Sequence, residues 1–207
     1  MVEQTESPRS PEQVRRGRRM ALLLFAVGFG PMLLATIMYY TGWMNPTEIS
    51  NNGVLVQPPL AVAELQLNGA DGEPLSDRFG PEVENAEWLM LVTAGSCAKE
   101  CEELLYLARQ VNIALGKSAD RLSRAAYLEQ IPADLAARWE KEYATMEQLE
   151  HQPGSSPIWP EGVVPSQTPE ILLVDPFGNI MMRYNSDHSG KQMLKDLKQL
   201  MKLSQIG

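Results

Sequence analysis

Residues 20–40, "MALLLFAVGFGPMLLATIMYY", form an unbroken run of 21 residues without a charged side chain. Coiled into a helix at about 1.5 Å per residue, the run spans roughly 30 Å, the depth of a bilayer's hydrocarbon core. It is longer than the apolar core of a cleaved secretory signal, and no A-x-A site follows it, so it reads as an uncleaved anchor. Arg15, Arg16, Arg18 and Arg19 stand directly before it, and no basic residue follows until Arg78. By the positive-inside rule the N-terminus is cytoplasmic and everything after Thr41 is exported. Pro31 within the span is tolerable, because neighbouring groups can satisfy the carbonyl it frees. Tyr39, Tyr40 and Trp43 stand where an interfacial aromatic belt is expected.

The anchor divides the chain into a polar, proline-containing tail (1–19) read as disordered, a transmembrane helix (20–41), a turn-rich linker (42–59) and one exported domain (60–207). The first twenty residues hold five arginines and three glutamates, which leaves 13 basic and 23 acidic residues beyond them, a net charge of −10. An acidic surface of this kind disfavours nucleic acid and anionic headgroups as partners of the exported part, so no nucleic-acid partner is expected.

Within that part the pattern predicts an α/β plan. Leu60–Leu67 alternates as a strand, and Trp88–Ala94 is a continuous apolar run suited to a strand buried on both faces. Cys101–Leu115 carries helical apolar spacing stopped by Gly116, Arg124–Gln130 reads as a strand, and Pro132–Glu150 as a second helix opened by proline. Two apolar runs, Ile171–Val174 and Ile180–Tyr184, flank the turn sequence "DPFGN" and predict an antiparallel hairpin, with Asp175 as a turn residue. Met193, Leu194, Leu197, Leu200 and Met201 give the apolar face of a last helix, capped by Asp187 or Ser189.

The only two cysteines, Cys97 and Cys101, fall where the buried strand turns into a helix. Free N–H groups and the dipole at a helix start favour a thiolate there, and residues one helical turn apart can be bridged. A disulfide closing so small a loop constrains the unfolded chain little, so stapling is the weakest use of the pair. Glu100, Glu102 and Glu103 oppose a thiolate and Lys99 supports one. Four uses stay open on the residues alone: a redox dithiol, a soft metal site, a structural bridge, or two inert buried thiols. With His151 and His188 as the only histidines, no structural zinc spacing exists.

An apolar strand ending in C-x-x-x-C at a helix start, a membrane anchor before it, and the late "TPEILLVDPFGN" hairpin together resemble the SCO/SenC proteins, thioredoxin-fold factors for the copper site of cytochrome c oxidase. That resemblance implies a thioredoxin-like fold, a mixed sheet flanked by helices, and a periplasmic location on the cytoplasmic membrane. It implies as partners a cytochrome c oxidase subunit or its assembly factors. It also implies copper as a candidate ligand, held by both cysteines and a histidine from a D-H-T before the hairpin. That triplet falls on Ser166, Gln167 and Thr168, so glutamine replaces the histidine. The expectation is therefore thiol-disulfide exchange, with Cys97 attacking and Cys101 resolving, and Cu(I) binding through Cys97 and Cys101 as the alternative. A non-catalytic assembly factor is a third reading. Pro169, after Thr168, is the candidate cis-proline facing the cysteines. His188, His151, Met181 and Met182 are secondary candidates for a missing metal ligand.

Overall fold

Helix α1 (Pro11–Thr41) is one continuous helix in the computed structural model, which describes residues 11–41 and 51–204. Its best 18-residue window has a mean hydropathy of 2.2, and none of that window is buried inside the protein, so the helix is long and apolar enough to cross a membrane. It begins nine residues before the apolar run, so the arginines of residues 15–19 are helical rather than disordered. Trp43, residues 1–10 and the linker's 42–50 lie outside the described residues. The chain divides into two units after Ser50.

The second unit is built on a seven-stranded mixed sheet in the order β1-β7-β6-β3-β4-β5-β2. Strand β1 (Val54–Ala61) is followed by a 3-10 turn (Val62–Leu65) and β2 (Leu67–Asn68), then by a second 3-10 turn (Leu75–Arg78). Strand β3 (Trp88–Ser96), helix α2 (Lys99–Ala114) and β4 (Leu122–Gln130) form a parallel crossover unit. Helix α3 (Ala133–Glu142), β5 (Glu147–His151), the hairpin β6 (Glu170–Val174) and β7 (Asn179–Tyr184), and α4 (Gly190–Leu203) complete it.

The central strand explains the two-sided core. Alternation in β3 sends Trp88, Met90 and Val92 into the cluster built with α2 and α4, and sends Leu89 and Leu91 into a second cluster with Val62, Leu65 and Leu75. β3 therefore reads as a continuous apolar run, as a strand covered on both faces must. Ser189 and Gln192 form a reciprocal capping box that opens α4. Asp175 is the turn residue expected, its Oδ1 accepting from the backbone N–H groups of Phe177 and Asn179.

Two elements depart from the sequence expectation. Leu60–Leu67 is not one strand: β1 starts six residues earlier, inside the expected linker, and the chain then coils so that Val62 and Leu65, three apart, both reach the core. The predicted helix Pro132–Glu150 stops at Glu142, and Glu147–His151 is strand β5. Only Leu149 of β5 is buried, and its spacing from Met146 mimics a further helical turn.

β5 is held from the side by Glu147. Both its carboxylate oxygens accept from the Arg78 guanidinium, and Oε1 also accepts from the Ala70 N–H at 3.0 Å. The Arg78 hydrogen bond, its largest influence, holds the Glu147 carboxyl below the ordinary glutamate range. A depressed folded pKa contributes stability above the unfolded value of about 4.3 and loses it as pH falls through the folded value. Glu147→Gln is accordingly expected to be less stable than the parent at pH 7, with the gap narrowing below about pH 4.5. Urea unfolding at pH 7 and pH 3.5 checks this.

Candidate functional site

Cys97 lies just past the end of β3, and its N–H continues the β3–β4 ladder by donating to the Gln130 carbonyl at 3.4 Å. Ala98, the N-cap of α2, offers no side-chain cap, and Cys101 sits in the first turn. The first turn's N–H groups thus face the turn that carries Cys97, the arrangement that favours a thiolate. The two cysteines form a disulfide, with Cα atoms 5.0 Å apart.

The structure combines two of the readings left open, since the pair is both bridged and buried. Cys97 is 2% exposed and Cys101 1%, while Ser96, Ala98, Lys99 and Glu100 around them are exposed. The sulfurs belong to the α2/α4 core cluster, which also contains Leu135 and Trp139 of α3. The polar side of α3 reaches the same place: Arg138 Nη2 lies 3.0 Å from Glu102, the residue after Cys101. Arg138 also pairs with Asp134 and Glu142. Its pKa is raised, chiefly by the Glu102 hydrogen bond. Burial, then the negative charges of Glu142 and Glu102, push the Tyr143 hydroxyl upward. The Leu135/Trp139 spacing on α3 marks a face that packs into this cluster, but the spacing alone does not say against what.

The segment before β6 crosses the end of β3. The Gly95 N–H donates to the Pro165 carbonyl at 2.5 Å, and Gln167 and Thr168 both donate to Val164. Gln167 is exposed and Pro169 half-buried. The Thr168–Pro169 bond is trans, a correction to the expected cis-proline; among the described residues the cis bond is Gln57–Pro58. The hydrogen-bonded turn on Val164 already delivers the chain into β6. Glu170, next along, is 4% exposed and pairs with Arg183 at 2.8 Å. Burial nonetheless raises its pKa, outweighing Arg183.

The secondary candidates do not gather at the cysteines. His188 stands in the turn before α4, its Nδ1 2.7 Å from the Asn185 side-chain oxygen and its ring edge-on to Tyr184. His151 is on β5 with its ring 4.6 Å from that of Tyr127. Met182 is core and Met181 half-buried. Among the described residues no group of three or more His, Cys, Asp and Glu side chains is placed to hold a metal. Two bridged sulfurs are not free to ligate, and Gln167, where the resemblance expects a histidine, is exposed and brings no imidazole.

Residues 88–204 match the family model described as "transmembrane-like, thioredoxin-like, C-terminal domain", and residues 11–42 match "transmembrane-like, N-terminal domain". No curated protein matches the sequence. Among solved structures, yeast Sco1 is similar at 14% identity and a TM-score of 0.52, over 73% of this chain and 97% of that one. Copper-bound ScoI of Bradyrhizobium japonicum has 17% identity and a TM-score of 0.44, over 65% and 96% of the two chains. A thiol-disulfide oxidoreductase of Bacteroides fragilis has 20% identity and a TM-score of 0.45, over 69% and 97%. At such identities the likeness to yeast Sco1 speaks for the fold. The thioredoxin-like domain behind an apolar helix, expected from the sequence, is borne out.

Proposed function

We propose that this chain, which belongs to the family of transmembrane-like proteins with a thioredoxin-like C-terminal domain, is a membrane-anchored thiol-disulfide exchange protein acting in the assembly of cytochrome c oxidase. The observation that carries the chemistry is the Cys97–Cys101 bridge at the uncapped start of α2, directly after the central strand. The oxidase pathway and the periplasmic placement of the domain rest on the resemblance to SCO/SenC proteins and on the arginines before the apolar run.

In the reduced chain the Cys97 thiolate attacks one sulfur of a partner disulfide, forming a mixed disulfide and releasing the partner's other cysteine as thiolate. Cys101, having given up its proton, then attacks the Cys97 sulfur. This forms the intramolecular bridge and expels the partner's second thiolate. The partner gains two electrons and, with protons from water, two thiols; this chain loses two electrons. A dithiol donor must reduce the bridge again, by the same steps in reverse.

The test uses the full chain in detergent, equilibrated in glutathione buffers of graded potential, with thiols counted by alkylation. A reversible two-electron transition is expected. Cys101→Ser should trap a mixed disulfide that Cys97→Ser does not form. A bridge that opens only when the protein unfolds would sink the reading. Titration of the same reduced sample with Cu(I) against a chelator is expected to show no tight one-to-one binding. Such binding, lost in Cys97→Ser, would favour a metal chaperone instead.

A further inference from the structure

We infer that α3 is a lid over the cysteine pair, latched to the first turn of α2 by Arg138, and that opening it controls access to the sulfurs; the inference deepens the exchange reading and rests on it. Exchange requires in-line approach of an external sulfur to one of the two, yet both are buried while the backbone turn that carries them is exposed. The cover therefore comes from another part of the chain.

α3 is fastened on both sides of the pair. It begins three residues after Gln130, whose carbonyl accepts from the Cys97 N–H. It reaches back through Arg138 to Glu102, immediately after Cys101. Its buried residues, Leu135 and Trp139, share one core cluster with both cysteines. The rest of α3 is exposed or half-exposed, its length is ten residues, and its polar contact to α2 is this ion pair at the surface. A short helix with two anchoring side chains and a surface latch is the kind of element that opens locally without global unfolding. Asp134 and Glu142, each one turn away on α3, hold the guanidinium in place for Glu102.

The test measures the rate at which dithiothreitol reduces the bridge in the full chain, by quenching with a maleimide-polyethylene glycol that retards each reduced molecule on a gel. Arg138→Glu turns the latch into a repulsion and is expected to accelerate reduction about fivefold or more. Glu102→Gln, which removes the pair from the other helix, should accelerate it less. The exchanged pair, Arg138→Glu with Glu102→Arg, should return the rate toward that of the parent. Equal rates in all four proteins, with a reversible couple in glutathione buffer, would overturn the lid and leave the exchange reading standing. Reduction that requires urea in every protein would overturn both.

Discussion

Asp196→Ala is expected to lower the stability of the thioredoxin-like domain by about 3 kcal/mol or more, the largest loss from a single side chain outside the apolar core. Asp196 is on α4, is 2% exposed, and faces the start of the domain. Its Oδ2 accepts from the N–H groups of Asn52 (2.8 Å) and Gly53 (2.9 Å) and lies 3.2 Å from the Tyr184 hydroxyl, while Oδ1 accepts from Asn52 Nδ2 at 2.7 Å. Alanine leaves these donors without an acceptor, and those of Gly53 and Tyr184 are buried. Each buried orphan costs about 1–3 kcal/mol. Burial and Asp196 both raise the Tyr184 pKa, so the phenol stays protonated and keeps donating at every physiological pH. Tyr184→Phe, which deletes one donor and orphans nothing else, is expected to cost about 1 kcal/mol. Urea unfolding of the full chain in detergent checks both. Hydrogen exchange at Asn52, Gly53 and β1 should quicken in Asp196→Ala before the rest of the domain yields. An Asp196→Ala protein as stable as Tyr184→Phe would show that solvent replaces the carboxylate and that the N-terminal segment is not held by it.

The parts of the fold legible in the sequence are those where one physical signal acts alone. β3 shows because a strand covered on both faces must be apolar throughout, the β6–β7 hairpin because "DPFGN" separates two apolar runs, and α4 because its periodicity and its cap agree. β1 was hidden by Pro58 and Pro59, which read as linker but are tolerated on an edge strand that pairs only with β7. β5 was hidden because one buried residue in five carries no period, and the nearest apolar neighbour continued the helical one. The cysteine pair was legible for the same reason as β3: strand end and helix start can be located without knowing the tertiary structure. Its depth of burial could not be settled from the sequence, because that depends on which elements pack against the pair, and amphipathic spacing says which face is covered but not by what. Pro169 misled for a related reason. A Thr-Pro before a strand is compatible with either isomer, and the Gly95–Pro165 hydrogen bond that ties the preceding segment to β3 is non-local information.

Gly95→Ala is expected to act at the site itself, through the approach of two backbones. At residue 95 a Cβ would stand 2.7 Å from the Ser166 Cα and 3.3 Å from the Pro165 carbonyl oxygen, while the Gly95 N–H holds that same oxygen at 2.5 Å. The backbone of residue 95 is extended strand, so the demand for glycine comes from this crossing alone and not from its dihedral angles. Neither side can give by a rotamer change: one partner is the main chain of β3 and the other the main chain of the segment entering β6. The methyl group must displace that segment or break the Gly95–Pro165 hydrogen bond, at a cost of about 1–3 kcal/mol. Because Cys97 follows two residues later, the displacement should also be felt at the bridge. The expected signature is a loss of stability in urea together with faster amide exchange at Gln167 and Thr168, whose turn on Val164 is the first structure the methyl group meets. Faster reduction by dithiothreitol should accompany it if the segment screens the sulfurs as α3 does, whereas an unchanged rate with lowered stability would assign the cover to α3 alone. Parental stability and parental exchange in Gly95→Ala would mean that the segment before β6 moves aside freely, and then a partner chain could occupy the same place against the end of β3.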